Sequence, residues 1–257
     1  MVNSLKFIEP NWPAPKNIKA LCTTRIGGVS LPPFNSFNVA THVEDNPQSV
    51  AQNRQLLMQS LNLPAQPFWL DQQHTDIALE LKSQSQPNFS DISPPIADAS
   101  WTMQPSLVSL VMTADCLPIL VTDLSGSCVA AIHAGWKGLA DGVVSKTINA
   151  MPVHAEELMA WIGPAISARQ FEVGEDVLQA FMLKDKLNQG YFKAKEVGGE
   201  KYLADLPGLV GFELENIGVK TANIYQSNLC SYESEELFYS YRRDGKTGRM
   251  ASLIWIE

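Results

Sequence analysis

His74, Cys116 and His133 carry the residue types of a catalytic metal site: two imidazoles and one thiolate, with water completing a tetrahedron around zinc. They lie in the segments WLDQQHTD, MTADCLPIL and AAIHAGWKGL. Cys116 and His133 are 17 residues apart, and His74 precedes Cys116 by 42. No C-x-x-C, H-E-x-x-H or H-x-x-x-H pair is present, so no zinc-finger or zincin signature applies. Types and spacing therefore leave two readings open: one metal centre, or three side chains separately buried and hydrogen-bonded.

As a metal centre, the set would need Cys116 as thiolate and would leave Zn²⁺ a net charge of about +1, enough to polarise a bound water. Asp115, beside the cysteine, and Asp98 in ADASW are candidates for a general base or an orienting group; turn or cap roles are the alternative. Without metal, Cys116 reads instead as a hydrolase nucleophile with His133 or His74 as its base. Candidates for holding an anion are Arg25, which precedes Gly27-Gly28, together with Lys137 and Arg54. The run Arg242, Arg243, Lys246 and Arg249 surrounds an Asp-Gly turn and reads as a solvated hairpin, ranked behind Arg25 and Lys137.

The rest of the chain must position these groups. It has 257 residues, 45% of them hydrophobic, enough for one domain spanning 1–257 with a sizeable core. A formal net charge of -8 argues against a general nucleic-acid or anionic-membrane binder, so an anionic substrate must meet a local basic cluster. The N-terminal stretch shows no apolar h-region or cleavage pattern, and no segment reaches the length of a membrane span. The four cysteines, Cys22, Cys116, Cys128 and Cys230, then read as thiols in a reducing cytoplasm.

IKALCTTRI reads as an early strand, and Asn46-Pro47 opens a helix through SVAQNRQLLMQSL. PFWLDQQH reads as a strand that delivers His74 at its end, and LKSQSQPNFSDISPP as a surface loop. SLVSLVM, PILVTD and SCVAAIH are strands, with a turn at Asp123–Gly126 between the last two. Cys116 thus falls between strands and His133 at a strand end. One helix is expected over GLADGVVSKTINAM, with Val143, Val144, Thr147 and Ile148 inward. MAWIGPAI returns to a strand, GEDVLQAFML and DLPGLVGFELENIG are helices, and SLIWIE is a final strand. Strands that do not strictly alternate with helices point to an α+β layered fold with mixed β-sheets.

The motifs TTRIGGVS, FNSFNVATHVEDNP, WLDQQH, ADASWT, TADCLPIL, HAGWKGL, WIGPAI, FEVGEDV and FYSYRRDGKTGRMASLIWI, in this order, resemble the bacterial YfiH-like laccase-domain family. The likeness runs from about Thr23 to the C-terminus. It implies an α/β/β/α layered arrangement and His74, Cys116 and His133 as metal ligands. Two positions depart from the family pattern: Lys137 stands where Arg is usual, and Thr75 where Gly commonly follows the histidine. Lysine keeps the charge but loses the planar fork.

The resemblance implies a zinc-dependent purine nucleoside phosphorylase acting on adenosine, inosine and methylthioadenosine with inorganic phosphate, and deaminating adenosine. It also implies two alternatives: a copper polyphenol oxidase, and a cysteine hydrolase in peptidoglycan editing. The chain has four histidines, and His42 and His154 lie outside the three-ligand set. A blue copper centre with a trinuclear cluster would need many more, so copper is expected only as a substitute at the one site. The oligomeric state is not legible.

Overall fold

In a computed structural model of the protein, residues 4–82, 93–196 and 198–257 are described. Most of the polar stretch read as a surface loop, residues 83–92, lies outside them. The fold is α+β with mixed sheets, as expected.

One sheet has the order β1 (Phe7–Ile8), β2 (Ile18–Thr23), β13 (Met250–Ile256), β5 (Ser109–Thr113), and all its pairs are antiparallel. The larger sheet has the order β12 (Ile224–Gln226), β8 (Leu158–Ile162), β6 (Leu117–Asp123), β7 (Val129–Ala134), β4 (Ala99–Thr102), β3 (Ala78–Glu80). Its centre is antiparallel and its two outer pairs are parallel. A small antiparallel sheet joins β10 (Phe192–Ala194), β11 (Lys201–Ala204) and β9 (Glu172–Gly174).

Alternation along the strands explains the stacking. Cys22, Val111 and Ile254 of the first sheet meet Leu120, Val129, Ala131 and Trp161 of the second. The opposite face of the first sheet, with Leu21, Leu110 and Leu253, packs on Leu57 of helix α1 (Pro47–Leu61) and on Phe37 and Val39. The opposite face of the second, with Ile119, Val121, Ala130 and Ile132, packs under α2 (Trp136–Asp141), α3 (Val143–Ala150), α4 (Glu175–Lys184) and α5 (Leu206–Ile217). The layers are α/β/β/α. Both sheets are buried on both faces, which is why their strands read as nearly continuous apolar runs.

The caps follow local chemistry. The Asn46 side chain accepts from the backbone N–H groups of Gln48 and Ser49 to start α1, and that of Asp205 accepts from Gly208 to start α5. Two expectations need correction. The single helix over GLADGVVSKTINAM is two, α2 and α3, because Gly142 turns the chain with φ 94°. PFWLDQQH is not a strand. It is extended, with isolated bridges at Phe68–Ser109 and Asp71–Ile96. Beyond β5 the Gln72 amide replaces a ladder, donating to the Met112 carbonyl at 2.8 Å and accepting from its N–H at 2.7 Å.

Candidate metal centre

Sheet register brings the site together. In β6–β7, Leu117 pairs with Ala134 and Pro118 with His133, so Cys116 arrives beside Gly135, just past the strand ends. In β4–β7, Ala99 pairs with Ile132, which sets Asp98 against His133; the Asp98 carbonyl accepts from the His133 N–H at 2.7 Å. β3 pairs with β4, so the segment just before β3 passes over Asp98 and carries His74.

The ligand atoms of His74, Cys116 and His133 all lie within 4.8 Å of one another. Cys116 Sγ is 3.6 Å from His74 Nε2, and the two imidazole rings sit edge to face at 5.0 Å. Gly135 is required by close approach. A Cβ there would stand 2.8 Å from His74 Nε2 and 3.1 Å from Cys116 Sγ, nearer still to His74 Cδ2.

Asp98, fully buried, organises this set. Its Oδ1 accepts from His133 Nδ1 at 2.7 Å and from the His74 N–H at 3.0 Å. Its Oδ2 accepts from the N–H groups of Gln73 at 3.2 Å and Thr75 at 2.6 Å, and from Thr75 Oγ1 at 2.7 Å. These bonds hold a turn in which His74 has φ 60°, a conformation a non-glycine residue adopts only when its surroundings fix it. Burial opposes the carboxylate, but the His133 and Thr75 donors prevail and hold its pKa at about 2.

With His133 Nδ1 engaged by a carboxylate, its Nε2 is the nitrogen free to ligate, the usual carboxylate–histidine–metal arrangement. Burial also opposes the Cys116 thiolate, yet His133 and His74 bring the thiol down to about 6. For His133, burial disfavours the cation, but Cys116 and Asp98 raise it to about 9. Metal-free, the trio is a thiolate–imidazolium pair backed by a carboxylate, the layout of a cysteine nucleophile. That layout has no task for a second imidazole in a constrained turn aimed at the sulfur. The donor set, its convergence and the Gly135 cradle fit a three-ligand metal site.

A cavity of about 410 Å³ opens on this set, lined also by His42, Gln72, Met112, Thr113, Ala114, Tyr241 and Arg249. Among the described residues no carboxylate lines it. Burial, then the Arg249 charge, pushes the His42 pKa down and keeps that imidazole neutral.

Several expected site residues stand elsewhere. Asp115 faces inward as a clamp with φ 96°. Its carboxylate accepts from Ser231 Oγ and from the Arg242 N–H, both at 2.6 Å, and its carbonyl from the Ile166 N–H at 2.9 Å. It fixes the Cys116 loop and is not on the cavity wall. Arg25 staples loops: Nε donates to the Asn35 carbonyl and Nη1 to that of Glu235, with the guanidinium 4.8 Å from the Tyr239 ring. Arg54 lies 3.5 Å above Trp69 and donates to the Val39 carbonyl. Lys137 is exposed on the first turn of α2, unpaired among the described residues, and is not on the wall.

The basic residue that does line the cavity is Arg249, just ahead of β13 and discounted as part of a hairpin. The run's turn is in fact the four-residue helix α6 (Tyr241–Asp244), whose Tyr241 also faces the cavity. His42 was a detectable signal, one of only four histidines in the chain.

The sequence pattern of the family described as multi-copper polyphenol oxidoreductase laccase matches residues 19–257. The purine nucleoside phosphorylase YfiH of Escherichia coli (strain K12) is 45% identical over 98% of this chain and 99% of its own. The purine nucleoside phosphorylase of Haemophilus influenzae is 44% identical over 98% and 100%. A crystal structure of a Neisseria meningitidis protein superposes with a TM-score of 0.90 at 44% identity, over 98% and 99% of the two chains. The chain belongs to this YfiH-like laccase family.

Proposed function

We propose that this family member is a purine nucleoside phosphorylase. It transfers the ribosyl group of adenosine or inosine, or the methylthioribosyl group of methylthioadenosine, to inorganic phosphate, and deaminates adenosine in the same cavity. One observation carries the reading: a protein of net charge -8 lines the cavity at its three-ligand set with an arginine and three histidines and, among the described residues, no carboxylate. Such a wall suits an anionic co-substrate. The volume of about 410 Å³ is within the range of small-molecule sites. The names of the relatives point the same way.

A zinc ion on His74, Cys116 and His133 would supply a Lewis acid at this wall. The chain's own groups do the rest. Asp98 fixes the His133 tautomer and the His74 turn, so the donors are set before substrate arrives. Tyr241, 62% exposed at the mouth, and Met112 offer apolar faces against which a planar purine can lie. Proton movement falls to His42 and Tyr241, because Asp98 and Asp115 are both sealed by donors.

The family's description favours a second reading, copper-dependent phenol oxidation. Four histidines in the whole chain cannot build a multi-copper array, so copper here would occupy the same three ligands.

The test is chromatography of each nucleoside incubated with zinc-loaded protein, with and without phosphate. Free base with the matching sugar 1-phosphate should form only when phosphate is present, and inosine from adenosine in either case. Absence of phosphate-dependent base release sinks the proposal. Phenol oxidation as the sole activity after copper loading would establish the oxidase. Nucleoside conversion that survives complete removal of metal by a chelator would take the metal out of the reaction.

A further inference from the structure

We propose that Arg249, together with the Thr113 hydroxyl, is the subsite that holds the phosphate. This rests on the phosphorolysis reading and supplies the anion site it lacks.

The β5–β13 register brings the two residues to the same end of the ladder, one step apart on the diagonal. Met250 pairs with Thr113, so Arg249 precedes β13 where Ala114 and Cys116 follow β5. Both residues line the cavity that holds His74, Cys116 and His133. The arginine is braced for presentation. Its N–H donates to Asn38 Oδ1 at 3.0 Å, and its Nη1 donates to the carbonyls of Thr247 and Gly248, each at 3.0 Å. Those two bonds use both Nη1 hydrogens. The Nε–Nη2 edge is left: among the described residues it has no hydrogen-bond or ion-pair partner, and the guanidinium lies 5.9 Å from the Tyr241 ring. That edge is the fork that grips two oxygens of a phosphate at once.

Thr113 supplies an independent sign. Its side chain is 1% exposed, and its Oγ1 has no hydrogen-bond partner among the described residues. Buried hydroxyls nearly always have one, because an unmet group keeps its full desolvation penalty. Because Thr113 belongs to the cavity wall, a phosphate oxygen bound against it would offer this hydroxyl an acceptor. Asn38, fully buried, braces the other side: its amide donates to the Ala40 carbonyl at 3.1 Å, and its Oδ1 also accepts from the Ala40 N–H. One asparagine thus ties the segment leading to His42 to Arg249, which explains why two wall residues so distant in sequence stay in register.

A second chamber of about 420 Å³ shares His42, Tyr241 and Arg249 with the first. Lys246, on its wall, is paired with Glu44 at 2.7 Å, so Arg249 is the unpaired fork at the passage between the chambers. Phosphate held there lies beside the ligand set, with the exposed Tyr241 facing the nucleoside.

The test uses zinc-loaded full-length protein and the variants Arg249→Gln, Arg249→Lys and Thr113→Val. KM is measured separately for phosphate and inosine, and inorganic phosphate is titrated calorimetrically into each protein. Arg249→Gln should raise the phosphate KM roughly ten- to a hundredfold, the effect of losing charge-assisted bonds. Arg249→Lys should fall between, keeping charge without the fork, and Thr113→Val should cost roughly three- to tenfold. The inosine KM should move less than about threefold, a split that general loosening of the fold would not give. Equal rises in both KM values, or unchanged phosphate affinity in Arg249→Lys and Thr113→Val, would overturn the assignment. If the wild type forms no ribose 1-phosphate, phosphorolysis fails, and the titrations alone judge the subsite: phosphate heat lost in Arg249→Gln supports it, and none in the wild type refutes it.

Discussion

Gly135→Ala isolates the metal site from the fold. The Gly135 backbone has φ -72° and ψ 160°, a conformation open to any L-residue, so the added methyl meets no backbone objection. The obstacle is the site itself. The new Cβ would lie 2.8 Å from His74 Nε2, against the 3.4 Å or more of ordinary contact, with Cδ2 closer still. The ring must therefore retreat by roughly an ångström, several times the ~0.2 Å tolerance of a metal–ligand bond. His74 is exposed, so it can swing outward at little cost to packing. Zinc should then bind at least about a hundredfold more weakly, or about 2.7 kcal/mol. The metal-free protein should melt within a few degrees of wild type. Competition with a chromophoric chelator gives the affinity, and scanning calorimetry of stripped protein gives the stability. Wild-type zinc affinity in this variant would show that His74 is not a ligand. A large loss of apo stability would show that the glycine serves packing instead.

Three further outcomes follow from the Asp98 cluster and Cys116. Asp98→Asn sets an amide N–H₂ against two or more donors in either orientation, and should cost on the order of 3–5 kcal/mol in urea unfolding together with zinc affinity. The Asp98 carboxyl falls from 3.8 to about 2 on folding, so its contribution to stability is present above about pH 4 and lost as pH falls through 2. The gap between wild type and variant should narrow over that window in acid titrations, and a constant gap would contradict the clamp. Alkylation of Cys116 in stripped protein should show a midpoint near pH 6 and be blocked by zinc, whereas a midpoint near 8.5 would deny the thiolate assigned here.

What could be read from the chain and what could not divide along contact range. The candidates His74, Cys116, His133 and Asp98 could be picked out because their types belong to metal-donor sets and their segments fall at or between strand ends. The strands SLVSLVM, PILVTD and SCVAAIH were legible because both their faces are covered. Arg25 and Arg54 resemble anion ligands by type and by neighbouring glycines, yet their guanidinium groups are spent on the Asn35, Glu235 and Val39 carbonyls. Arg249 was passed over because only the pairing of Met250 with Thr113, far apart in the chain, brings it to the cavity. The strand expected over PFWLDQQH failed because a side-chain amide at Gln72 does the work of a ladder, which alternation does not register. Gly142, inside a helical pattern, was the available sign of the break between α2 and α3.

One buried carboxylate grips both the His133 imidazole and the backbone of the turn that bears His74, so the ring of one and the main chain of the other answer to the same group. Divalent copper outcompetes zinc at nitrogen and sulfur donors in general, but it favours a flattened, tetragonal arrangement. A metal held by His74, Cys116 and His133 would therefore meet a geometry set partly by Asp98, whose oxygens are all taken up by His133, Gln73, His74 and Thr75.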